Sequence, residues 1–149
     1  MREYVLILCH YADQILVVVK DKPDWMAGRV NLIGGKIEPN ETATDAVIRE
    51  CMEEVGYEPK HVQIVGEVKD DDYIIYCGVI EEKYFVPKPR PEETEQFFWV
   101  RLEDLVHYNI MPNLKVIVPL MLKNLSYFSI YDVDKSLGGN QQHTVRITV

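Results

Sequence analysis

The 24 residues "GGKIEPNETATDAVIRECMEEVGY", Gly34 to Tyr57, carry six carboxylates, one Arg and three Gly. Thr42 followed three residues later by Asp45 has the pattern of a capping box. Val47, Ile48, Cys51, Met52 and Val55 then recur at helical spacing until Gly56, a natural stop, which predicts a helix over 42–55. At about 100° per residue, Glu50, Glu53 and Glu54 fall near roughly 0°, 300° and 40°, while the apolar residues spread from roughly 60° to 200°. The predicted helix therefore turns an apolar side to a core and an acidic side away from it.

Most Glu-rich helical stripes are solvated surface faces. Here that reading leaves the repulsion unexplained. Like charges at i,i+4 destabilise a helix by about 0.2–0.5 kcal/mol, and no Lys stands at a compensating i+4 position. Something positive is expected on that side. Hard divalent cations use carboxylate and carbonyl oxygens and bind phosphate oxygens at the same time. A Gly34-Gly35 turn, lacking side chains, could bring a backbone carbonyl to the same cation.

The rest of the chain surrounds this segment with strands. "YVLILCHY" (4–11) and "QILVVVK" (14–20) read as a hairpin, and "RVNLI" as a short strand after an irregular loop holding Trp25, Met26 and Arg29. "VQIVGEV" (62–68), "YIIYCGVI" (73–80) and "QFFWV" (96–100) are further strands, and the Pro-rich "VPKPRPEETE" (86–95) is a loop. "RLEDL" starts a helical turn. A helix is expected from Pro112 to about Asn124, kinked or short of a hydrogen bond at Pro119. Residues 127–149 alternate around Gly138-Gly139, as a second hairpin would. The class is α+β, helices over a mixed sheet, in one domain spanning 1–149 with its core at about 2–125 and a tail extension at 126–149.

The formal net charge of −8 argues against a long polyanion such as duplex DNA, while a small phosphorylated ligand stays open because a bound cation reverses the local sign. Cys9, Cys51 and Cys77 are odd in number and lie among apolar neighbours, as buried free thiols do in a reducing compartment. The six apolar residues of "YVLILC" are too few for a signal segment or a membrane span. A cytoplasmic location is expected.

Gly35, five residues, Glu41, seven residues, then "RECMEEVGY" matches the signature GX5EX7REUXEEXGU, U being bulky and apolar, and so resembles the Nudix hydrolases. At roughly 7% usage each, the seven identities Gly35, Glu41, Arg49, Glu50, Glu53, Glu54 and Gly56 arise by chance in about one window in 10⁸. Cys51 stands where an aliphatic residue is usual, and "VNLIGG" (30–35) replaces the more common "WNLPGG".

The resemblance implies an α/β/α sandwich with a central mixed sheet. It also implies Mg²⁺-dependent (or Mn²⁺-dependent) hydrolysis of a nucleoside diphosphate linked to a group X, giving a nucleoside monophosphate and phospho-X. By the same resemblance, Gly35, Glu50, Glu53 and Glu54 would hold metal, with Glu93 as a further ligand from a later loop that also holds Glu92 and Glu95. Glu50 or Glu53 would be the general base, and Glu41 and Arg49, with Gly56, would buttress the site.

Tyr73 lies where similar diadenosine polyphosphate hydrolases carry a Tyr thought to stack on a base, and Trp25 and Arg29 stand in the loop facing the motif. Each also has an ordinary reading, as a strand residue, a core ring or a surface cation. The favoured substrate is a dinucleoside polyphosphate, ADP-ribose or nucleotide sugar, and the second choice is a (deoxy)nucleoside triphosphate in a house-cleaning role. A nucleotide-sensing domain without catalysis is the alternative of another class. The partner is a small nucleotide, with a homodimer possible through the tail; no membrane and no long nucleic acid are expected.

Overall fold

The computed structural model describes residues 1–81, 83–123, 126–132 and 145–148. The predicted hairpin forms as β1 (Arg2–Tyr11) and β2 (Gln14–Val19). They pair only beside the turn, at His10↔Ile15 and Tyr11↔Gln14. Beyond it they splay, and the short strands β3 (Val30–Asn31) and β4 (Ile33–Lys36) attach to β2 and β1 respectively. The Gly34-Gly35 pair thus lies inside the sheet, opposite Leu6 and Val5, rather than in a free turn.

After α1 (Ala43–Val55), β5 (Gln63–Lys69) and β6 (Tyr73–Glu81) form an antiparallel pair, and β6 runs parallel to β1 along Arg2–His10. β7 (Gln96–Arg101) covers the other edge of β2. Residues Leu102–His107 form a 3-10 helix where the "RLEDL" turn was expected. α2 (Leu114–Lys123) starts two residues after Pro112, which sits in the preceding turn. Pro119 is inside α2 on its exposed side with Lys115, so water can serve the carbonyl that the proline leaves unbonded.

Alternation along the strands makes two cores. Val5, Ile7 and Cys9 of β1 with Leu16 and Val18 of β2 face Ala46, Val47, Cys51 and Val55 of α1. Leu6 and Leu8, with Ile15 and Val17, face Leu114, Ile117, Val118 and Met121 of α2. Helix, sheet and helix form the expected three layers. Among the described residues no helix is long and apolar enough to cross a membrane.

The tail does more than fold on itself. β8 (Phe128–Asp132) and β9 (Val145–Thr148) pair antiparallel, as a hairpin would, and β8 also extends the main sheet by running parallel to β5. The Gly138-Gly139 turn lies outside the described residues. Phe128 and Ile130 are buried with α2, and the Phe128 ring lies where Gly66 has no side chain. Phe128→Ala is expected to cost about 3–5 kcal/mol in urea denaturation. A loss below about 1 kcal/mol would show that the tail strand is not part of the core.

Candidate active site

The ends of α1 are built as the sequence predicts. Asp45 N–H donates to Thr42 Oγ1 at 3.0 Å and Thr42 N–H to Asp45 Oδ2 at 3.3 Å, a complete capping box. At the other end Gly56 takes φ +70°, the left-handed conformation that closes a helix, and its N–H donates to Met52 O at 3.1 Å.

The acidic side is not where the wheel puts it. Glu50 is 9% exposed and shares the buried arc with Ala46, Val47, Cys51 and Val55, whereas Met52, expected in the core, is 44% exposed. Glu50 is drawn in because Gly35 leaves room for it. A Cβ on Gly35 would meet Glu50 Oε1 at 2.2 Å, so the carboxylate occupies the space of a missing side chain.

The expected positive partner is present within the chain itself. Arg49 donates from Nε to Glu41 Oε2 at 2.7 Å and from Nη2 to Glu41 Oε1 at 2.9 Å, a bidentate pair. Nη2 also reaches Lys36 O at 2.9 Å, and Nη1 reaches Glu50 Oε1 at 2.9 Å and Glu53 Oε2 at 3.2 Å. Arg49 is therefore the i,i+4 counter-charge of Glu53 that a search for Lys overlooks. Its hydrogen bonds hold the Glu41 carboxyl below the usual range. Burial pushes the Glu50 carboxyl up in spite of Arg49.

Glu54 is half-buried and receives no such bond from the described residues. Burial first, then the charge of Glu50, raises its carboxyl to about 8, with Lys20 opposing and Glu95 and Glu93 adding to the rise. Glu95 itself is held by Lys20 Nζ at 3.1 Å and by Asp21 N–H at 3.0 Å. Glu93, the carboxylate chosen from the loop, turns back on its own backbone, accepting from Thr94 N–H at 3.0 Å and Glu95 N–H at 2.9 Å. Of that loop, Glu95 is the more deeply set neighbour of Glu54, with a side chain 8% exposed.

Among the described residues no three carboxylate, imidazole or thiol groups converge as a ready cation cage. Arg49 ties Glu50 and Glu53 instead. The donor set nevertheless suits a hard divalent cation: it is all oxygen, it closes on the Gly35 backbone, and Glu54 lacks a counter-charge of its own.

Gly34 and Gly35 also line a cavity of about 900 Å³ on the α2 side of the sheet. Trp25 and Tyr73 are on its wall, as are Arg2, Lys20 and Lys22, while Arg29 is not. Asn113 lines it too, only 7% exposed, and its Oδ1 has no hydrogen-bond partner among the described residues. Backbone bonds from Val30 N–H to Asn109 O and from Met111 N–H to Val30 O, both 2.8 Å, bring the start of α2 to this wall. Such long-range pairing leaves no local signal, so Asn113 is invisible to a sequence reading.

A profile of the NUDIX domain matches residues 2–121. The chain is 26% identical over 143 residues to an oxidized purine nucleoside triphosphate hydrolase of Mus musculus, covering 91% of each. It is 39% identical over 102 residues to a putative 8-oxo-dGTP diphosphatase 2 of Mycobacterium tuberculosis, covering 66% of this chain and 72% of that one. Several other relatives match over less than half of their length. The MutT protein from Bacillus halodurans superposes with a TM-score of 0.71 at 18% identity, over 99% of this chain and 97% of that one, which shows the same fold.

Two outcomes test the charge arrangement. Arg49→Ala is expected to lower urea stability by about 2 kcal/mol, between the limits for exposed and buried pairs, and to lower activity with it; full activity would remove its buttressing role. Between the ordinary value of 4.5 and about 8, the folded state holds a proton on Glu54 that the unfolded chain has lost. Stability therefore falls as pH rises through that window. In chelator, the melting temperature of the unmodified protein should drop more from about pH 5 to about pH 8 than that of Glu54→Gln; equal slopes would refute the buried charge.

Proposed function

This chain belongs to the NUDIX family and is a hydrolase of phosphoric anhydride bonds, and from that premise we propose that it cleaves a small nucleotide, a nucleoside diphosphate linked to X, into nucleoside monophosphate and phospho-X. Glu50, Glu53 and Glu54 with the Gly35 carbonyl would hold Mg²⁺ or Mn²⁺, with Glu93 or its neighbour Glu95 from the later loop. The cation supplies charge neutralisation on the phosphates and a more acidic bound water. Glu50 and Glu53 are the candidates for the group that takes the proton of that water, and Arg49 sets the direction of both carboxylates.

The observation that carries a nucleotide reading is Asn113. A buried amide oxygen without a partner costs about 1–3 kcal/mol. A nucleobase N–H placed in the adjoining cavity would satisfy it. Arg2, Lys20 and Lys22, with no carboxylate on the same wall among the described residues, suit an anionic ligand.

For X we favour a phosphate group, making the substrate a (deoxy)nucleoside triphosphate, because the similarity to the mouse triphosphate hydrolase extends over 91% of both chains. This reverses the order taken from sequence. The dinucleotide or nucleotide-sugar reading keeps one observation in its support: the cavity, about 900 Å³, is at the upper end for a small-ligand site and has both Trp25 and Tyr73 on its wall. Cys9, Cys51 and Cys77 are buried and in no disulfide among the described residues, as suits a protein of the reducing cytoplasm.

Turnover of a nucleotide panel, with products separated and identified by ion exchange, tests this. Pyrophosphate and monophosphate from nucleoside triphosphates are expected, and activity confined to dinucleoside polyphosphates or ADP-ribose would overturn the choice of X. Glu50→Gln and Glu53→Gln should each lower kcat by about 10²–10⁴. Cation-dependent nucleotide binding without turnover would replace the hydrolase by a sensing domain.

A further inference from the structure

Residues 83–91, "KYFVPKPRP", form a strap across the C-terminal end of α1. Trp99 Nε1–H donates to Phe85 O at 2.8 Å, and the Phe85 ring stacks on Tyr57 with centroids 4.0 Å apart and planes 6° from parallel. Lys88 N–H donates to Val55 O at 2.8 Å, serving a carbonyl that the helix end leaves open. Gly56 allows this approach, since a Cβ there would lie 2.9 Å from Lys88 O.

The strap carries Arg90 to the acidic side. Arg90 Nη2 is 3.6 Å from Glu53 Oε1, while Arg49 Nη1 holds the other oxygen at 3.2 Å. The two arginines differ in how firmly they are held. Arg49 is 21% exposed and tied to Glu41, Glu50 and Lys36 O as well, so moving it would break the whole cluster. Arg90 is 55% exposed and its contact to Glu53 is longer than a hydrogen bond. A guanidinium on a firmly docked strap, loosely paired to a carboxylate at a cation site, is placed to exchange partners.

We propose that Arg90 is an exchangeable counter-ion of Glu53: Arg90 and a divalent cation are alternative partners of Glu53, and Arg90, once released, binds a phosphate of the substrate. The proposal rests on the hydrolase reading above. It also gives the strap a task, which is to keep the released arginine beside the site. The guanidinium fork suits phosphate oxygens as well as it suits a carboxylate.

The test is Mn²⁺ titration of the nucleotide-free protein by calorimetry, followed by kinetics at saturating Mn²⁺. Arg90→Ala should bind Mn²⁺ about two- to fivefold more tightly than the unmodified protein, because a competing cation is gone. That gain should vanish when Glu53→Gln is already present. In the kinetics Arg90→Ala should raise KM about tenfold with kcat within about twofold, and Arg90→Lys, which keeps the charge without the fork, should recover part of the loss. Equal Mn²⁺ affinities, or an unchanged KM, would overturn the proposal while leaving the hydrolase reading in place. An unmodified protein that binds no Mn²⁺ would remove both.

Discussion

The carboxylate of Glu50 lies in the space that Gly35 leaves by having no side chain, and the arrangement of the acidic side follows from that contact. A charged group that is 9% exposed needs a hydrogen-bonding partner, and Arg49 from the adjacent position supplies it. Arg49 is in turn fixed by Glu41 and by the carbonyl of Lys36, the residue after Gly35. Glycine, glutamate and arginine thus close a ring joining β4, the loop after it and α1. Changing one member leaves a charge stranded in the other two elements, which makes this ring the point at which fold and site cannot be separated.

Once the ring is formed, the cations of the chain are shared unevenly. Arg49 serves Glu41, Glu50 and Glu53; Lys20 serves Glu95; Arg90 stands loosely by Glu53. Glu54 has Lys20 only as a distant charge, and three carboxylates nearby work against it. The protein therefore keeps most of its acidic side stable by internal pairing and leaves one carboxyl in a state that only an added cation or a proton can relieve. Such an imbalance is what distinguishes this stripe from a solvated surface face, where water would screen every member alike.

Local chemistry was legible in the sequence, and contacts across the fold were not. Thr42 and Asp45 at one end and Gly56 at the other give the helix within a residue, because capping depends on neighbours in the chain. The spacing of Gly35, Glu41 and the "RECMEEVG" run pointed to a family and, through it, to three layers that the structure contains. The helical wheel misplaced Glu50 and Met52 because it knows nothing of the hole that a glycine on another strand provides. Glu95 could not be preferred to Glu93 without knowing that Lys20, 75 positions away, lies beside it. The parallel pairing of β8 with β5 was hidden for the same reason: alternation predicts a strand but not its partner.

The position of Gly34 and Gly35 has a further consequence for how such a fold can change its substrate. The α1 side of the sheet holds the carboxylates, and the α2 side holds the cavity with Trp25, Tyr73 and Asn113. The two meet at the glycine pair and at Lys20, which lines the cavity and also pairs with Glu95. On the proposed reading, residues facing the base and X could therefore vary on one face without touching the charge ring on the other. Lys20 and the glycine pair are the exceptions, since a change in them alters both the cavity wall and the balance around Glu54. Specificity in this chain is accordingly expected to be set by the 22–26 loop, the N-terminal half of β1 and the start of α2, while the chemistry stays with β4 and α1.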